Sequence, residues 1–242
     1  MDLGIEVGNT LVKFGLFQKR FLKKIYSFPT KEIKSKIHIP EPLLKLKLGK
    51  IVIASVVPEI NEKLSKVLKK IYEVKPFIIG VQDCKIPLRI KEPKKVGIDR
   101  VLNCKSAYYF YGGPSVIVDI GTAITIDIVS QKGIFLGGII IPGPELWLNS
   151  LTNTSLLPKI NFCENVKIVG KNTEEAISSG VKYGITFLIE GIVKKLKNKY
   201  PDLKTILTGG GSFVFKKFLK IKFIHHPYLS LEGIGVIINN GN

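Results

Sequence analysis

Two short stretches of the chain share one design: Ile5-Glu6-Val7-Gly8-Asn9-Thr10 and Val118-Asp119-Ile120-Gly121-Thr122-Ala123. Each begins as an apolar strand that carries one carboxylate, and each ends in glycine and small polar residues that are typical of a turn. Apolar segments follow both turns, at Leu11–Phe17 and Ile124–Val129, so each stretch predicts a β-hairpin. The repeated design indicates an internal duplication.

Strands and helices alternate through the rest of the chain, which predicts an α/β protein with two similar halves. The turn Gly112-Gly113-Pro114 begins the second series, so we expect one half over residues 1–112 and the other over residues 113–242. Further strands are predicted at Lys50–Val56, Phe77–Ile79, Ser115–Asp119, Ile134–Ile141 and Thr205–Leu207, and helices at Ile98–Tyr111, Thr173–Lys195, Leu231–Ile238 and from Pro58, with Ile60, Leu64, Val67, Leu68 and Ile71 on its apolar face.

The composition argues against several classes of protein. The net charge is +18, which suggests a nucleic-acid partner, but only three residues are arginine and the lysines are spread along the chain. We therefore expect a lysine-rich surface and no nucleic-acid binding.

No apolar run reaches the roughly 20 residues of a membrane span, and the start lacks the pattern of a signal peptide, so we expect a cytoplasmic protein that does not bind membranes. Cys84, Cys104 and Cys163 form no C-x-x-C pair and are expected to be small core residues.

The two turns are suited to binding the phosphates of ATP. Glycine has no Cβ, so backbone N–H groups can approach an anion there, and Asn9, Thr10 and Thr122 add side-chain donors. Lys13 would place a positive charge near the same phosphates, although it is equally suited to a solvated strand position. Glu6 and Asp119 would together hold Mg²⁺, usually through water, or else accept ordinary hydrogen bonds.

A third glycine segment, Thr208–Ser212, follows a predicted strand. It is interpreted either as a loop beneath adenosine or its phosphates or as a plain turn. The half over residues 1–112 would thus hold the first phosphate loop, and the half over residues 113–242 the second phosphate loop and the adenosine loop. The sequence contains neither G-x-x-x-x-G-K-[ST] nor G-x-G-x-x-G, which excludes a P-loop enzyme and gives no indication of a dinucleotide fold.

A candidate acceptor site lies at Gly97-Ile98-Asp99-Arg100, where a helix begins. A carboxylate at this position is often only a helix cap, and an adjacent arginine is often part of a surface ion pair. In the functional interpretation, Asp99 orients an alcohol and takes its proton, while Arg100 binds a carboxylate of the substrate. The residues by themselves leave both interpretations open.

A series of motifs, in order along nearly the whole chain, carries a resemblance to a known family. They are Glu6-Val7-Gly8-Asn9-Thr10-x-x-Lys13, Ser55-Val56-Val57-Pro58, Gly97-x-Asp99-Arg100, Asp119-Ile120-Gly121-Thr122-Ala123-x-Thr125-x-Asp127, Gly137-Gly138-x-Ile140-x-Pro142-Gly143, Leu157-Pro158, Asn172-Thr173-x-x-Ala176-Ile177 and Gly209-Gly210. In combination they resemble type III pantothenate kinase. The resemblance implies two ribonuclease H-like halves of the acetate kinase, sugar kinase, Hsp70 and actin superfamily, with a nucleotide cleft between them.

The resemblance also implies a reaction and a set of site residues. ATP would phosphorylate pantothenate to 4′-phosphopantothenate, the first step of coenzyme A biosynthesis, with Asp99 as the proton acceptor. Asp119 matches a ligand of a monovalent cation, K⁺ or NH₄⁺. Thr173 matches a substrate contact supplied across a homodimer interface. The pantothenate loop corresponds to Gly97, Ile98, Asp99 and Arg100, and the ATP contacts to Glu6, Val7, Gly8, Asn9, Thr10, Leu11, Val12, Lys13 and Thr122.

Two positions depart from the family pattern. Glu6 stands where the family normally has aspartate, so its carboxylate reaches one methylene further. Ile90 stands where the family often has a tyrosine that contacts pantothenate. Two other functions are compatible with the residues: a regulatory or accessory protein on the same fold, and a ribonuclease H-like nuclease, although a nuclease does not need paired glycine turns.

Overall fold

A computed structural model describes residues 1–154 and 157–240 of the chain. They form two compact units. The first contains Met1–Phe110 and the residues from Tyr228 onward, and the second contains Tyr111–Pro227.

Each unit contains one five-stranded mixed sheet. The first sheet consists of β1 (Asp2–Val7), β2 (Leu11–Gln18), β3 (Phe21–Pro29), β4 (Ile51–Ser55) and β5 (Phe77–Ile79), and the second of β6 (Ser115–Ile120), β7 (Ala123–Val129), β8 (Phe135–Pro142), β9 (Lys204–Thr208) and β10 (Ile224–His225).

The helices are α1 (Thr30–Ser35), α2 (Glu41–Leu44), α3 (Pro58–Tyr72), α4 (Ile98–Tyr111), α5 (Pro144–Thr154), α6 (Thr173–Lys199), α7 (Ser212–Phe215) and α8 (Leu229–Asn240), with short 3₁₀ helices at Val81–Cys84 and Pro93–Lys95.

The two sheets have the same topology. Their strand orders are β3-β2-β1-β4-β5 and β8-β7-β6-β9-β10. In each, the first three strands form an antiparallel meander, and the last two add in parallel beside the first strand. The structure confirms an α/β fold with two similar halves, and the shared topology supports the duplication inferred from the hairpins.

Helices cover both faces of the first sheet. On one face, α3 buries Ile60, Leu64 and Leu68 against Leu3 and Ile5 of β1. The prediction that Ile71 belongs to this apolar face is wrong, because Ile71 is 39% exposed in the last turn of the helix. On the other face, α4 and α8 pack in one cluster that includes Leu102, Leu231 and Ile234.

The terminal helix α8 belongs to the first unit, whereas the sequence analysis placed it in the second half. Its close packing explains the difference. A Cβ at Gly4 of β1 would lie 3.0 Å from Ile234 Cγ2, and one at Gly15 of β2 would lie 3.0 Å from Leu231 Cδ2. These two glycines allow α8 to approach the first sheet closely.

The long helix α6 packs within the second unit. Its side chains Val181, Ile185 and Ile189 are buried in one cluster with Val118 and Ile126 of the sheet. By length and mean hydropathy, 1.3 over its most apolar window, α6 could cross a membrane, but 44% of that window is buried inside the unit.

The cysteines follow the expectation in part. Cys84 and Cys104 are buried, but Cys163 is exposed, so the prediction of a core position is wrong for Cys163. Its segment lies between α5 and α6, outside any strand or helix.

Candidate active site

The first turn, Gly8–Thr10, joins β1 to β2 and is held from behind by α1. Gly8 N donates to Leu11 O at 2.9 Å, which closes the turn. Thr30 Oγ1 donates to Gly8 O at 2.7 Å, and Thr30 N donates to Thr10 O at 2.8 Å. Asn9 and Thr10 are exposed. The turn therefore has a fixed backbone and an outer surface that a ligand can reach.

The flanking strand residues differ in what they can offer a ligand. Val7 and Val12 are 1% and 0% exposed, so a contact from either would have to come from the backbone. Leu11 is 38% exposed. Thr30 could not be predicted from the sequence, because nothing in the pattern around Pro29-Thr30 indicates that this hydroxyl contacts the first turn.

Glu6 and Lys13 face each other across the first hairpin. They are paired in register on β1 and β2, and Lys13 Nζ lies 2.8 Å from Glu6 Oε2. The other carboxylate oxygen, Oε1, accepts a hydrogen bond from Ser230 Oγ in the first turn of α8. Both oxygens of Glu6 thus have protein partners, and Lys13, which was expected near phosphates, forms an ion pair with this carboxylate.

Asp99 is the second residue of α4 and is half-buried. Arg100 N donates to its Oδ1 at 2.9 Å. Burial raises the pKa of the Asp99 carboxyl above its usual value, and the negative charge of Glu6 adds to this, against the opposing effect of Arg100. A carboxyl with a raised pKa is better matched to accepting a proton near neutral pH.

Gly97 provides room for the Asp99 carboxylate. A Cβ at Gly97 would lie 2.4 Å from Asp99 Oδ1, so a larger residue there would displace the carboxylate from its position. Ile98, between them, is 7% exposed and anchors the start of α4 in the core, while Arg100 is half-buried. The spacing Gly-x-Asp-Arg therefore has a steric reason in this structure.

The second turn, between β6 and β7, is held by backbone groups. Gly143 N donates to Thr122 O at 3.0 Å, and Gly211 N donates to Ile120 O at 2.8 Å. Gly121 and Thr122 are exposed, and Asp119 is half-buried at the end of β6. The turn again has a fixed backbone and an accessible tip.

The glycine loop, Thr208–Ser212, lies directly against Asp119. A Cβ at Gly209 would lie 2.2 Å from Asp119 Oδ1, and Gly209 has a φ of +85°, where glycine is strongly favoured. A Cβ at Gly143 would lie 2.1 Å from Gly121 O. The structure thus brings the second turn, Asp119 and the predicted adenosine loop together within one unit.

A serine and a histidine hold the glycine loop. The buried Ser212 contacts Gly209 O at 2.5 Å and His225 Nε2 at 2.9 Å through its Oγ. Burial, followed by the charges of Lys216 and His226, lowers the pKa of His225. This pair could not be predicted from the sequence, since Ser212 and His225 are brought together by the pairing of β9 with β10.

Thr173 is the exposed first residue of α6 in the second unit. The preceding Asn172 caps the helix, with Glu175 N donating to Asn172 Oδ1 at 2.8 Å, and Glu175 Oε2 accepts from Lys171 N. Thr173 therefore lies at the surface, at the capped N-terminus of α6. The structure groups Glu6, Lys13 and Asp99 in the first unit, and Asp119, Thr122 and Thr173 in the second.

Comparison with known proteins identifies the family. The model of the type III pantothenate kinase family matches residues 2–195 of the chain. The chain belongs to the type III pantothenate kinase family. A type III pantothenate kinase of Persephonella marina is 42% identical over 248 residues, covering 97% of this chain and 96% of that relative.

Solved structures agree with the family fold. A Campylobacter jejuni protein, described as a conserved Baf family transcriptional activator, is 25% identical with a TM-score of 0.66 over 99% of this chain and 98% of that one. An inorganic polyphosphate/ATP-glucomannokinase from Arthrobacter is 12% identical with a TM-score of 0.50, over 100% and 99% of the two chains. At that identity the second likeness shows the fold alone, which is that of sugar kinases.

Proposed function

We propose that this type III pantothenate kinase family member transfers the γ-phosphoryl group of ATP to pantothenate, giving 4′-phosphopantothenate for coenzyme A biosynthesis. The observation that carries the proposal is the environment of Asp99. Its carboxylate is half-buried at the start of α4, has a raised pKa and occupies space that Gly97 leaves open. This is the setting required of a general base for an alcohol.

The proposed step uses Asp99 to accept the proton of the pantothenate hydroxyl. The hydroxyl oxygen forms a bond to the γ-phosphorus, and the bond from that phosphorus to the bridging β–γ oxygen breaks, so ADP leaves with the electron pair. Arg100, beside Asp99, would bind the pantothenate carboxylate. Such a transfer depends mainly on positioning and on neutralising charge, so one aspartate and well-placed donors suffice.

The two turns and the glycine loop would bind ATP. Asn9, Thr10 and Thr122 are exposed at turn tips whose backbones are fixed by other elements, so donors there are positioned before ATP arrives. Gly210 is exposed, and a Cβ there would have no neighbour within 4 Å, so this part of the loop offers an open backbone surface. Ser212 and His225 would keep that surface in place.

The cations of the reaction would depend on few protein ligands. Residues 1–154 and 157–240 contain no group of three or more His, Cys, Asp or Glu side chains suited to a metal. That donor set fits Mg²⁺ that is held chiefly by ATP phosphates and water, which would neutralise charge on the transferred group. Asp119, a half-buried carboxylate against the backbone of Gly209, would hold the monovalent cation, K⁺ or NH₄⁺.

A homodimer would complete the substrate site through Thr173. Exposed apolar side chains support this proposal: Ile168 and Val169, shortly before Thr173, are 61% and 64% exposed, and Phe187 on α6 is 54% exposed. Exposed apolar groups of this size favour association with another protein surface. Light scattering on the purified protein should give twice the mass of one chain.

We also propose that the enzyme is located in the cytoplasm.

The proposal is tested by a coupled assay with pantothenate, Mg-ATP and K⁺, comparing the wild type with Asp99→Asn. We expect kcat to fall by about 10²–10⁴-fold in the variant, because the base is lost. Undiminished turnover would remove Asp99 from this role. ATP consumption that does not depend on pantothenate would favour the regulatory alternative.

The same variant should not lose stability. The native pKa of Asp99 lies above its unfolded value, so the native state holds the proton more tightly, and the free energy of unfolding falls as pH rises from the unfolded toward the native pKa. Asn carries no charge, so above that pH window Asp99→Asn should melt at the same temperature as the wild type or higher. Thermal melts at pH 4 and pH 8 measure this difference.

A further inference from the structure

Ser230 joins the terminal helix to the acid of the first hairpin. It is 5% exposed in the first turn of α8, and its Oγ donates to Glu6 Oε1. Lys13 Nζ holds the other oxygen, Oε2, from β2. Donors on two separate elements leave the carboxylate one orientation, because turning toward one donor breaks the bond to the other. No sequence motif of the family discussed above includes Ser230.

The same helix also contacts α4, which carries Asp99. A Cβ at Gly233, close to Ser230 along α8, would lie 2.3 Å from Ser106 Oγ and 3.2 Å from Leu102 O. At Gly233, helix α8 therefore approaches α4 closely, because this residue has no side chain. Helix α8 is thus in contact both with the strand that carries Glu6 and with the helix that carries Asp99.

We propose that Ser230 is a positioning residue for phosphoryl transfer, which fixes the Glu6 carboxylate so that its charge acts on Asp99. This rests on the proposed function. The charged groups that act on Asp99 are Glu6 on β1 and Arg100 on its own helix, while Lys13 on β2 faces Glu6. Without Ser230, the carboxylate keeps its bond to Lys13 but loses the bond that fixes its orientation, so it is less well placed to act on Asp99.

The test compares the pH dependence of kcat/KM for pantothenate in the wild type, Ser230→Ala, Glu6→Gln and the double variant. Loss of the negative influence of Glu6 lets Asp99 ionise at lower pH, so the acid limb should move down by about half a pH unit in Ser230→Ala and by about one in Glu6→Gln. Adding Ser230→Ala to Glu6→Gln should cause no further shift, because Ser230 acts through Glu6.

Two further variants separate positioning from a general effect on folding. Ser230→Thr keeps the hydroxyl and should keep the wild-type limb. Ser35→Ala is the matched control: Ser35 is exposed, and its Oγ donates to the backbone oxygen of Glu32 at 2.7 Å. Its loss should leave the pH profile of kcat/KM unchanged. Two results would overturn this inference without affecting the proposed function. One is an acid limb of kcat/KM that does not move in Ser230→Ala. The other is a shift caused by Ser230→Ala that is as large in the Glu6→Gln background as in the wild type. Wild-type protein without pantothenate-dependent turnover would overturn the proposed function itself.

Discussion

The two hairpins of the duplicated fold share a backbone but not the contacts of their acids. In the first, Glu6 lies opposite Lys13 and forms an ion pair with it. In the second, Asp119 lies opposite Thr125, which carries no charge, and packs against Gly209. The first turn is supported by a side chain, Thr30, and the second by glycine backbones. The duplication preserved the strand pairing, while the chemistry at each hairpin diverged.

On the basis of this difference we propose a distinct role for each acid. We propose that Glu6, whose two oxygens are held by Lys13 and Ser230, serves as a fixed charge near Asp99. We propose Asp119, which packs against the backbone of Gly209, as the cation ligand. The following substitutions test that division, beginning with the one expected to have the largest effect.

Among the substitutions that distinguish the roles of Glu6 and Asp119, Asp119→Asn should have the largest effect on turnover. If Asp119 holds the monovalent cation, its loss should lower kcat roughly a hundredfold and abolish stimulation by K⁺. Turnover measured with and without K⁺ gives the result. Asp202→Asn, at an exposed acid of the same unit, is the matched control and should behave as wild type. Retained K⁺ stimulation in Asp119→Asn would break the assignment.

Gly209→Ala should destabilise the second unit, whereas Gly210→Ala should not. The first substitution puts a Cβ 2.2 Å from Asp119 Oδ1 at a φ of +85°, while the second meets open space. We expect Gly209→Ala to cost about 1–3 kcal/mol of unfolding free energy and to raise KM for ATP. Urea unfolding and steady-state kinetics measure these effects. Equal behaviour of the two variants would contradict the close packing described here.

Glu6→Asp tests the extra methylene of the first hairpin. The shorter side chain cannot reach Lys13 and Ser230 together as Glu6 does, so one charge-assisted bond of a mostly buried carboxylate should weaken, at a cost of about 1–2 kcal/mol. Thermal and urea unfolding give the loss of stability, and titration with Mg-ATP gives the affinity. Unchanged stability and affinity would show that the added reach is unimportant.

Thr30→Val should have the smallest effect, because it removes one hydrogen bond and conserves shape. Its Oγ1 bond to Gly8 O supports the first turn, so we expect a loss of about 1 kcal/mol and a modest rise in KM for ATP. Thr186→Val removes a comparable buried bond, to Lys182 O at 2.7 Å, away from either turn. That control should lose similar stability with no change in KM; an equal KM in both variants would argue against a role for the first turn.

Strong local patterns were sufficient to predict most of the regular structure. Helix α4 has the predicted bounds, Ile98–Tyr111, and both hairpins form where the turn residues indicated. Strand β3 was missed, because it is an edge strand whose exposed lysines interrupt the alternation of apolar and polar residues. Helices α1 and α2 were missed because six and four residues are too few to show a helical period.

Contacts distant in sequence could not be predicted. The bond from Ser230 to Glu6 spans 224 positions, and that from Thr30 to Gly8 spans 22. His225, interpreted from the sequence as a loop residue, lies on β10 and contacts Ser212. Each of these contacts depends on which strand or helix packs beside which, and a local pattern contains no such information.

By itself, the sequence determined the elements of this protein: the two glycine turns, the strands that carry Glu6 and Asp119, and the helix that begins at Asp99. These follow from short-range physics, because turn residues and apolar periodicity act within a few positions. Only the tertiary structure decided that Lys13 and Ser230 together hold Glu6, that Gly209 lies on Asp119, and that α8 packs on the first sheet. Those outcomes depend on close packing between distant segments, where a missing Cβ or one hydroxyl determines the contact.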